Sequence, residues 1–352
     1  MRPKKPEFSD SQRDEAGRPY QPNPLQCSPR DLHGKMKCKW VEKKWGVQLG
    51  LMPDSSVTNL RFADDILLVA RTLPQIRSMI ADVAQAAAEV GLELHPDKTK
   101  ILHNGIGYGA GVTQTSCNGM NIEVLDCQKH AMYLGRALCL RDMHDEELRN
   151  RTAKAWAKFS MYKQELTDKK IPIWHQMKLF ETLITPTILY GSGCWVMTLG
   201  RRQALRTTQR QMMRMILGTG RKPGGNNGTD ELETYVEWVQ RATKEAERLM
   251  EKYNVREWTW QQRDRLWRWA SKVAHSKDGR WSHEVLHWDP IGQRPKGRPR
   301  ARWTDQLTSF LKRRLGRDIG AYDWIELAKN SKSWEELREE FCNLHSAEPS
   351  VA

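Results

Sequence analysis

The spacing of apolar residues changes period along the chain. Residues 57–70, VTNLRFADDILLVA, hold two short β-favouring runs, VTNLRF and ILLVA, around Ala-Asp-Asp. That pattern predicts a tight antiparallel hairpin with two acids at its tip. The strongly apolar flanks place this hairpin centrally in a sheet. In LPQIRSMIADVAQAAAEVGL, positions Leu73, Ile76, Ile80, Val83, Ala87 and Val90 recur at three and four, and Gly91 follows as a stop. This is an amphipathic helix of about four to five turns. LELHPDKTKIL then reads as a turn into a strand. VTQTSCNGMNIEVL carries Asn118-Gly119 between alternating runs, a two-residue hairpin signal, and HAMYLGRALCL is another strand.

From about residue 143 the period becomes helical. IPIWHQMKLFETLITPTILYG and RRQALRTTQRQMMRMILG are apolar-periodic, as are DELETYVEWVQRATKEAERLMEKY and TWQQRDRLWRWASKVAH. GTGRKPGGNNG, residues 218–228, has linker composition. GQRPKGRPRAR, residues 292–302, is a broken basic loop, and Ser333 with Glu336 forms a capping box for a last helix. No repeat of fixed period is present. The organisation expected is a polar, disordered segment over 1–39, a mixed region over 40–125, a strand and helices over 126–220, a linker over 221–229 and a Trp-rich helical region over 230–352. The class is α+β.

Charge narrows the partner. Lys and Arg number 57 against 43 Asp and Glu, a net charge of +14. That favours a polyanion, of which nucleic acid (RNA or DNA) is the common one. A membrane surface would call for a basic amphipathic helix or a lipid anchor, and neither is readable. The N-terminus has no apolar stretch of signal-peptide type, and no apolar run is long enough to span a bilayer. The seven cysteines form no CxxC pair, which disfavours zinc knuckles and a disulfide framework. Reduced thiols and an intracellular location, cytoplasmic or nuclear, are expected.

Adjacent ionised carboxylates repel unless a cation compensates them. Asp64 and Asp65 read either as ordinary turn residues or as ligands for a divalent ion, with oxygen-seeking Mg²⁺ the natural choice. Two such ions about 3.5–4 Å apart can clamp the oxygens of a phosphoryl transfer. A receiver domain or phosphatase places its acids after an apolar strand, whereas this pair precedes ILLVA.

LRFADDILLVA resembles the signature hairpin of the reverse transcriptase palm in the form found in non-LTR (LINE-type) retrotransposons. WGVQLG, GLELHPDKTKIL, YLG (Tyr133 to Gly135), ITPTILYGSGCWVM, RQMMRMILG and the stretch from DRLWRWASKVAH to GRPRARWTDQL are similar to successive motifs of that family, covering about residues 40–310. The resemblance implies a partial palm of antiparallel hairpins and a helix, followed by a helical thumb and a helical C-terminal region. It implies Asp64 and Asp65 as metal-binding acids, and Lys98 near the triphosphate of an incoming nucleotide. A surface lysine at a turn is the other reading of Lys98. It also implies Tyr133 and Gly135 in a hairpin that holds the primer end.

The chain departs from the family upstream. A third acid on an earlier strand and the fingers are not readable, and NPLQCSPRDL, residues 23–32, is at most a remnant of the family's template loop. A fragment truncated at its N-terminus and inactive by itself is therefore expected, with a weak or incomplete Mg²⁺ site. The alternative is a basic nucleic-acid-binding protein that has kept only the grip. Oligomeric state is not readable.

Arg202, Arg206 and Arg210 fall at i, i+4 and i+8, with Arg201 and Arg214 beside or beyond them, a basic stripe on one helix. It is either a solvated face or a row of phosphate contacts along a duplex. Lys296, Arg298, Arg300 and Arg302 suit contact with a nucleic-acid backbone, and Trp303 suits stacking on a base. Most other tryptophans read as core, and His275, His283 and His287 as an exposed polar face.

Overall fold

The computed structural model describes residues 32–49, 56–106, 111–223, 232–276, 281–288, 301–320 and 322–344. They belong to two compact units, Met1–Asp126 with Ser276–Arg294, and Cys127–His275 with Pro295–Ala352. The mixture of helices and small, mostly antiparallel sheets is the expected α+β class.

The first unit begins with a helix where disorder was expected: α1 spans Leu32–Glu42. Its Met36 and Trp40, one turn apart, are buried against Met79, Val83 and Ala86. Lys39 and the Trp40 indole donate to the two carboxylate oxygens of Asp82 at 2.6 and 2.8 Å. The short strands β1 (Val47–Gln48) and β2 (Ser56–Val57) pair antiparallel. Then β3 (Asn59–Phe62) and β4 (Asp65–Leu68) form the acid hairpin, with Phe62 opposite Asp65. Among the described residues it is a two-stranded sheet of its own, not the centre of a larger one. Its apolar flanks are covered by helices instead, since Ile66 and Leu68 pack into the α1 cluster.

The helix α2 spans Leu73–Glu89, capped by Thr72, whose side chain accepts from the Gln75 amide; Gly91 follows at φ +73°. Its buried set is Leu73, Met79, Ile80, Val83 and Ala86, while Val90 is exposed. The face is broader than the spacing implied because it is used from two sides. Leu73 and Ile80 meet the sheet residues Ile101, Ile122 and Val124, and Met79, Val83 and Ala86 meet α1. That sheet has the order β5 (Lys100–Leu102), β7 (Met120–Leu125), β6 (Gln114–Cys117). β6 and β7 are joined by Asn118 and Gly119 at φ +50° and +76°. Two left-handed residues are what a two-residue turn with matching strand twist requires.

The second unit opens with another such hairpin, in the stretch that the residue pattern reads as one strand and the family resemblance as a hairpin. β8 (His130–Tyr133) and β9 (Arg136–Cys139) pair across Leu134 and Gly135, at φ +48° and +74°. Helices follow as the period predicted: α3 (Met143–Met161), α4 (Lys163–Thr167), α5 (Ile173–Leu179), a π-helical turn Phe180–Ile184, α6 (Thr185–Ile188), α7 (Leu199–Leu217), α8 (Tyr235–Lys252) and α9 (Trp258–Ala274). One helical turn, α10 (Trp281–Glu284), belongs to the first unit. The second unit closes with α11 (Asp305–Leu315), α12 (Trp324–Lys329) and α13 (Ser331–Cys342). The α13 cap is Asn330, which accepts from the Ser333 amide, so Ser333 is not the capping residue. The capping box lies instead on α8, between Thr234 and Glu237. The cap thus lies three residues earlier than expected, and Trp334 is on the buried face of α13, 3.7 Å between ring centres from Trp267.

The linker-like stretch has described flanks that are pinned, and both belong to one unit. Glu233 takes the Lys222 amide at 2.8 Å and an Arg241 nitrogen at 3.1 Å, Arg221 donates to the Glu233 carbonyl, and the Trp238 indole donates to the Thr219 carbonyl. The hydrogen bond from Arg241, with the Lys222 amide behind it, pushes the Glu233 carboxyl down to about 2. A carboxylate more acidic folded than unfolded stabilises above its unfolded value and loses that contribution as pH falls. Thermal unfolding should therefore show a component lost between about pH 4.5 and pH 2. Glu233→Gln should remove that component; an unchanged acid limb in the variant would count against this clamp.

Cys117, Cys127, Cys139, Cys194 and Cys342 are free thiols, as expected, but Cys38 is disulfide-bonded. Reduced thiols throughout were expected because no motif spacing marks Cys38. A disulfide depends on the approach of two side chains in the fold, which spacing in sequence does not encode.

Candidate functional site

The residues singled out by sequence divide between the two units. In the first, the turn between β3 and β4 is Ala63-Asp64, with Ala63 at φ +52°. Asp64 occupies the turn and Asp65 begins β4, and both are exposed. Phe62, across from Asp65, is 66% exposed. The loop thus exposes two neighbouring carboxyl groups and an aromatic ring at the end of a short ribbon. Lys98 is exposed in the turn before β5, held there by its amide donating to the His95 carbonyl at 3.2 Å. Carboxylate pairs are the donor type that Mg²⁺ takes, the rest of its positions being water. Among the described residues no group of three or more His, Cys, Asp or Glu is placed to hold a metal ion.

In the second unit, the tip between Tyr133 and Gly135 is clamped from α3 and from the end of α6. Glu147 is fully buried; one oxygen accepts Arg151 Nε at 2.7 Å and the other the Ala137 amide at 2.7 Å. Arg151 also donates through Nη2 to the Gly135 carbonyl. Its guanidinium lies 4.4 Å from the ring centre of Tyr190, whose hydroxyl donates to the Leu134 carbonyl at 3.0 Å. Both tip carbonyls are thus fixed by side chains from elsewhere in the unit. Sequence reasoning found the tip but not Glu147, Arg151 or Tyr190. The i, i+4 spacing of Glu147 and Arg151 was a signal, but nothing in it says that the pair is buried.

The arginine stripe on α7 is not a solvated face. Arg201 grips Asp145 through two bonds of 2.7 and 2.6 Å, holding that carboxyl below the usual range. Arg206 reaches Glu257 at 3.3 Å, and Arg210 reaches Glu247 at 2.7 Å and Glu257 at 2.8 Å. Arg202 donates to the Met197 carbonyl and Arg214 to the Thr243 hydroxyl. The row is half-buried because α7 packs against α8 and the start of α9, which supply the acids. Arg202, Arg206 and Arg210 also line a cavity of 670 Å³ together with Arg256, Trp260 and Arg263.

The basic loop is described only at its end. Lys296, Arg298 and Arg300 lie outside the described residues. Arg302 is exposed, with its amide donating to Asp305. Trp303 is half-buried and meets Trp324 edge-on, ring centres 5.7 Å apart, so part of its surface serves packing. His275 bonds the Ser271 carbonyl through Nδ1. Among the described residues no helix is long and apolar enough to cross a membrane.

The sequence matches no protein-family model. It is 30% identical over 290 residues to an uncharacterized transposon-derived protein of Caenorhabditis elegans, an alignment that spans 79% of this chain and 94% of that one.

Proposed function

The chain belongs to the family of that transposon-derived protein, and from this premise we propose that it is the C-terminal part of a non-LTR reverse transcriptase, retaining a grip on nucleic acid but unable to extend a primer by itself. The carrying observation is the two-stranded hairpin that presents Asp64 and Asp65 side by side and exposed. A transposon origin accounts for a basic chain with this hairpin, and the clamped Tyr133–Gly135 tip supports the same reading. The residues that would meet Mg²⁺ are Asp64 and Asp65. Phosphoryl transfer relies on positioning and on charge stabilisation fixed in advance. Two carboxylates at an exposed tip supply little of either, so no catalytic step is assigned to them. The second reading, a nucleic-acid-binding protein without chemistry, is favoured by the lack of a third acid among the described groups.

Three measurements test this. In a primer-extension assay with Mg²⁺ or Mn²⁺, the chain should give no product above its Asp65→Ala variant; Asp65-dependent extension would overturn the inactive reading. Asp64→Ala should change folding stability by less than about 0.5 kcal/mol, because the side chain is exposed and outside any packed cluster. Loss of a Mg²⁺ effect on nucleic-acid binding in that variant would favour the polymerase-derived reading, and indifference would favour the grip alone. In either case affinity should fall at least about tenfold between 50 and 200 mM salt, as counterion release requires.

A further inference from the structure

The cavity beside α7 is the strongest unexplained feature of the second unit. Its 670 Å³ lies within the range of about 300–1,000 Å³ usual for small-molecule sites. Five arginines line it, Arg202, Arg206, Arg210, Arg256 and Arg263, the last buried with Nη1 on the Cys342 carbonyl at 3.0 Å. The lining carboxylates are three, Glu247, Glu251 and Glu257, so the wall carries a surplus of two positive charges. An aromatic ring stands among them. Trp260 is half-buried, its indole nitrogen donates to Asn343 at 3.0 Å, and the Arg256 guanidinium lies 4.9 Å from its ring centre.

We propose that this cavity binds a nucleoside phosphate unit of single-stranded nucleic acid, with phosphate on the arginines of α7 and a base on the Arg256–Trp260 stack. The proposal rests on the nucleic-acid reading above and sharpens it. A duplex offers its phosphates on a convex, stiff surface, which suits arginines on a protruding face. Here the arginines are half-buried in a concavity, where a rod cannot follow them. A single strand is flexible, and its unstacked bases can be splayed out onto aromatic and guanidinium planes. Arginine also fits the purpose better than lysine, because its planar fork bonds phosphate bidentately and stacks on a ring. The glutamates hold the forks in place, as Glu257 does for Arg206 and Arg210. A free nucleotide has the same chemistry as one unit of the strand, and the experiment separates the two.

The test is fluorescence anisotropy on the full chain, with a labelled 12-nucleotide single strand, a 12-base-pair duplex of the same sequence, and unlabelled ATP as competitor. The single strand should bind more tightly than the duplex. Trp260→Ala should weaken single-strand binding on the order of tenfold and leave duplex binding unchanged, as expected for loss of one stacked base. Trp260→Phe should restore most of the loss, and it keeps a ring in place if the alanine variant folds poorly. Competition by ATP at micromolar concentration would assign the site to free nucleotides; its absence assigns the site to the strand. Equal binding of strand and duplex with no effect of Trp260→Ala overturns the cavity proposal and leaves the nucleic-acid reading standing. No binding of either probe overturns both.

Discussion

Replacing Arg151 by alanine should lower the stability of the second unit by about 3–5 kcal/mol, measured by denaturant unfolding. Removing one partner of a buried ion pair leaves the other charge without compensation, and that cost is of this size. Glu147 is the stranded partner. Its side chain is fully buried, and that of Arg151 is 6% exposed. Arg136 stands 3.7 Å from Glu147 and offsets only part of the loss. The same substitution removes the closer of two donors to the Gly135 carbonyl, leaving Lys154 Nζ at 3.4 Å, and removes the cation over Tyr190. The β8–β9 tip should then exchange its amides faster than the rest of the unit, since local opening is governed by such contacts. A double variant, Glu147→Gln with Arg151→Met, separates charge from packing. If the stranded carboxylate dominates, the double variant recovers much of the single variant's loss. A loss below about 1 kcal/mol in Arg151→Ala would mean that water reaches Glu147 and that the clamp is weak.

Local pattern made the elements legible where a single rule determines them. Asn118-Gly119 requires two left-handed residues, and both have positive φ. The acid hairpin was visible for the same reason, two β-favouring runs with no room for more than a turn. The long helices followed from their three-and-four spacing. Other features were hidden because their cause is tertiary. Helix α1 is only 11 residues long and follows a polar, Pro-rich run, so its period does not stand out. The place of the acid hairpin, packed against helices α1 and α2, could not be inferred from apolar flanks, because a helix pair covers such flanks as well as a strand does. The arginine stripe shows the same limit most clearly. Its spacing was read correctly, but Glu247 and Glu257, which turn it inward, lie 37 and 47 residues beyond Arg210. Of the candidate residues, Asp64 and Asp65 had a chemical signature in adjacent letters. Trp260 and Arg256 had none, because their significance lies in the cavity they share with α7.

Trp258→Ala should cost about 3–5 kcal/mol, the range for emptying a buried tryptophan site. Trp258 is fully buried and stacks on Phe180, with ring centres 5.6 Å apart and planes 4° from parallel. Its indole nitrogen donates to the Thr185 hydroxyl at 2.9 Å, and its amide donates to Gln209 at 2.8 Å. One residue therefore ties the start of α9 to the π-turn, to α6 and to α7. Thr185 in turn donates to Glu181, a carboxyl that burial pushes above its usual range. Loss of the indole leaves a void and removes a donor from that network, two costs that act together. The effect should extend beyond stability. Arg256, Glu257 and Trp260 sit on the same turn as Trp258, so the cavity wall is positioned by this anchor. A milder variant, Trp258→Phe, retains most of the apolar volume and loses only the donor and part of the packing. It should cost about 1–3 kcal/mol. If single-strand binding survives Trp258→Phe but fails with Trp260→Ala, Trp258 is a positioning residue and Trp260 the contact. If both variants leave binding intact while Trp258→Ala is as stable as the parent, the α9 anchor is not what shapes the wall.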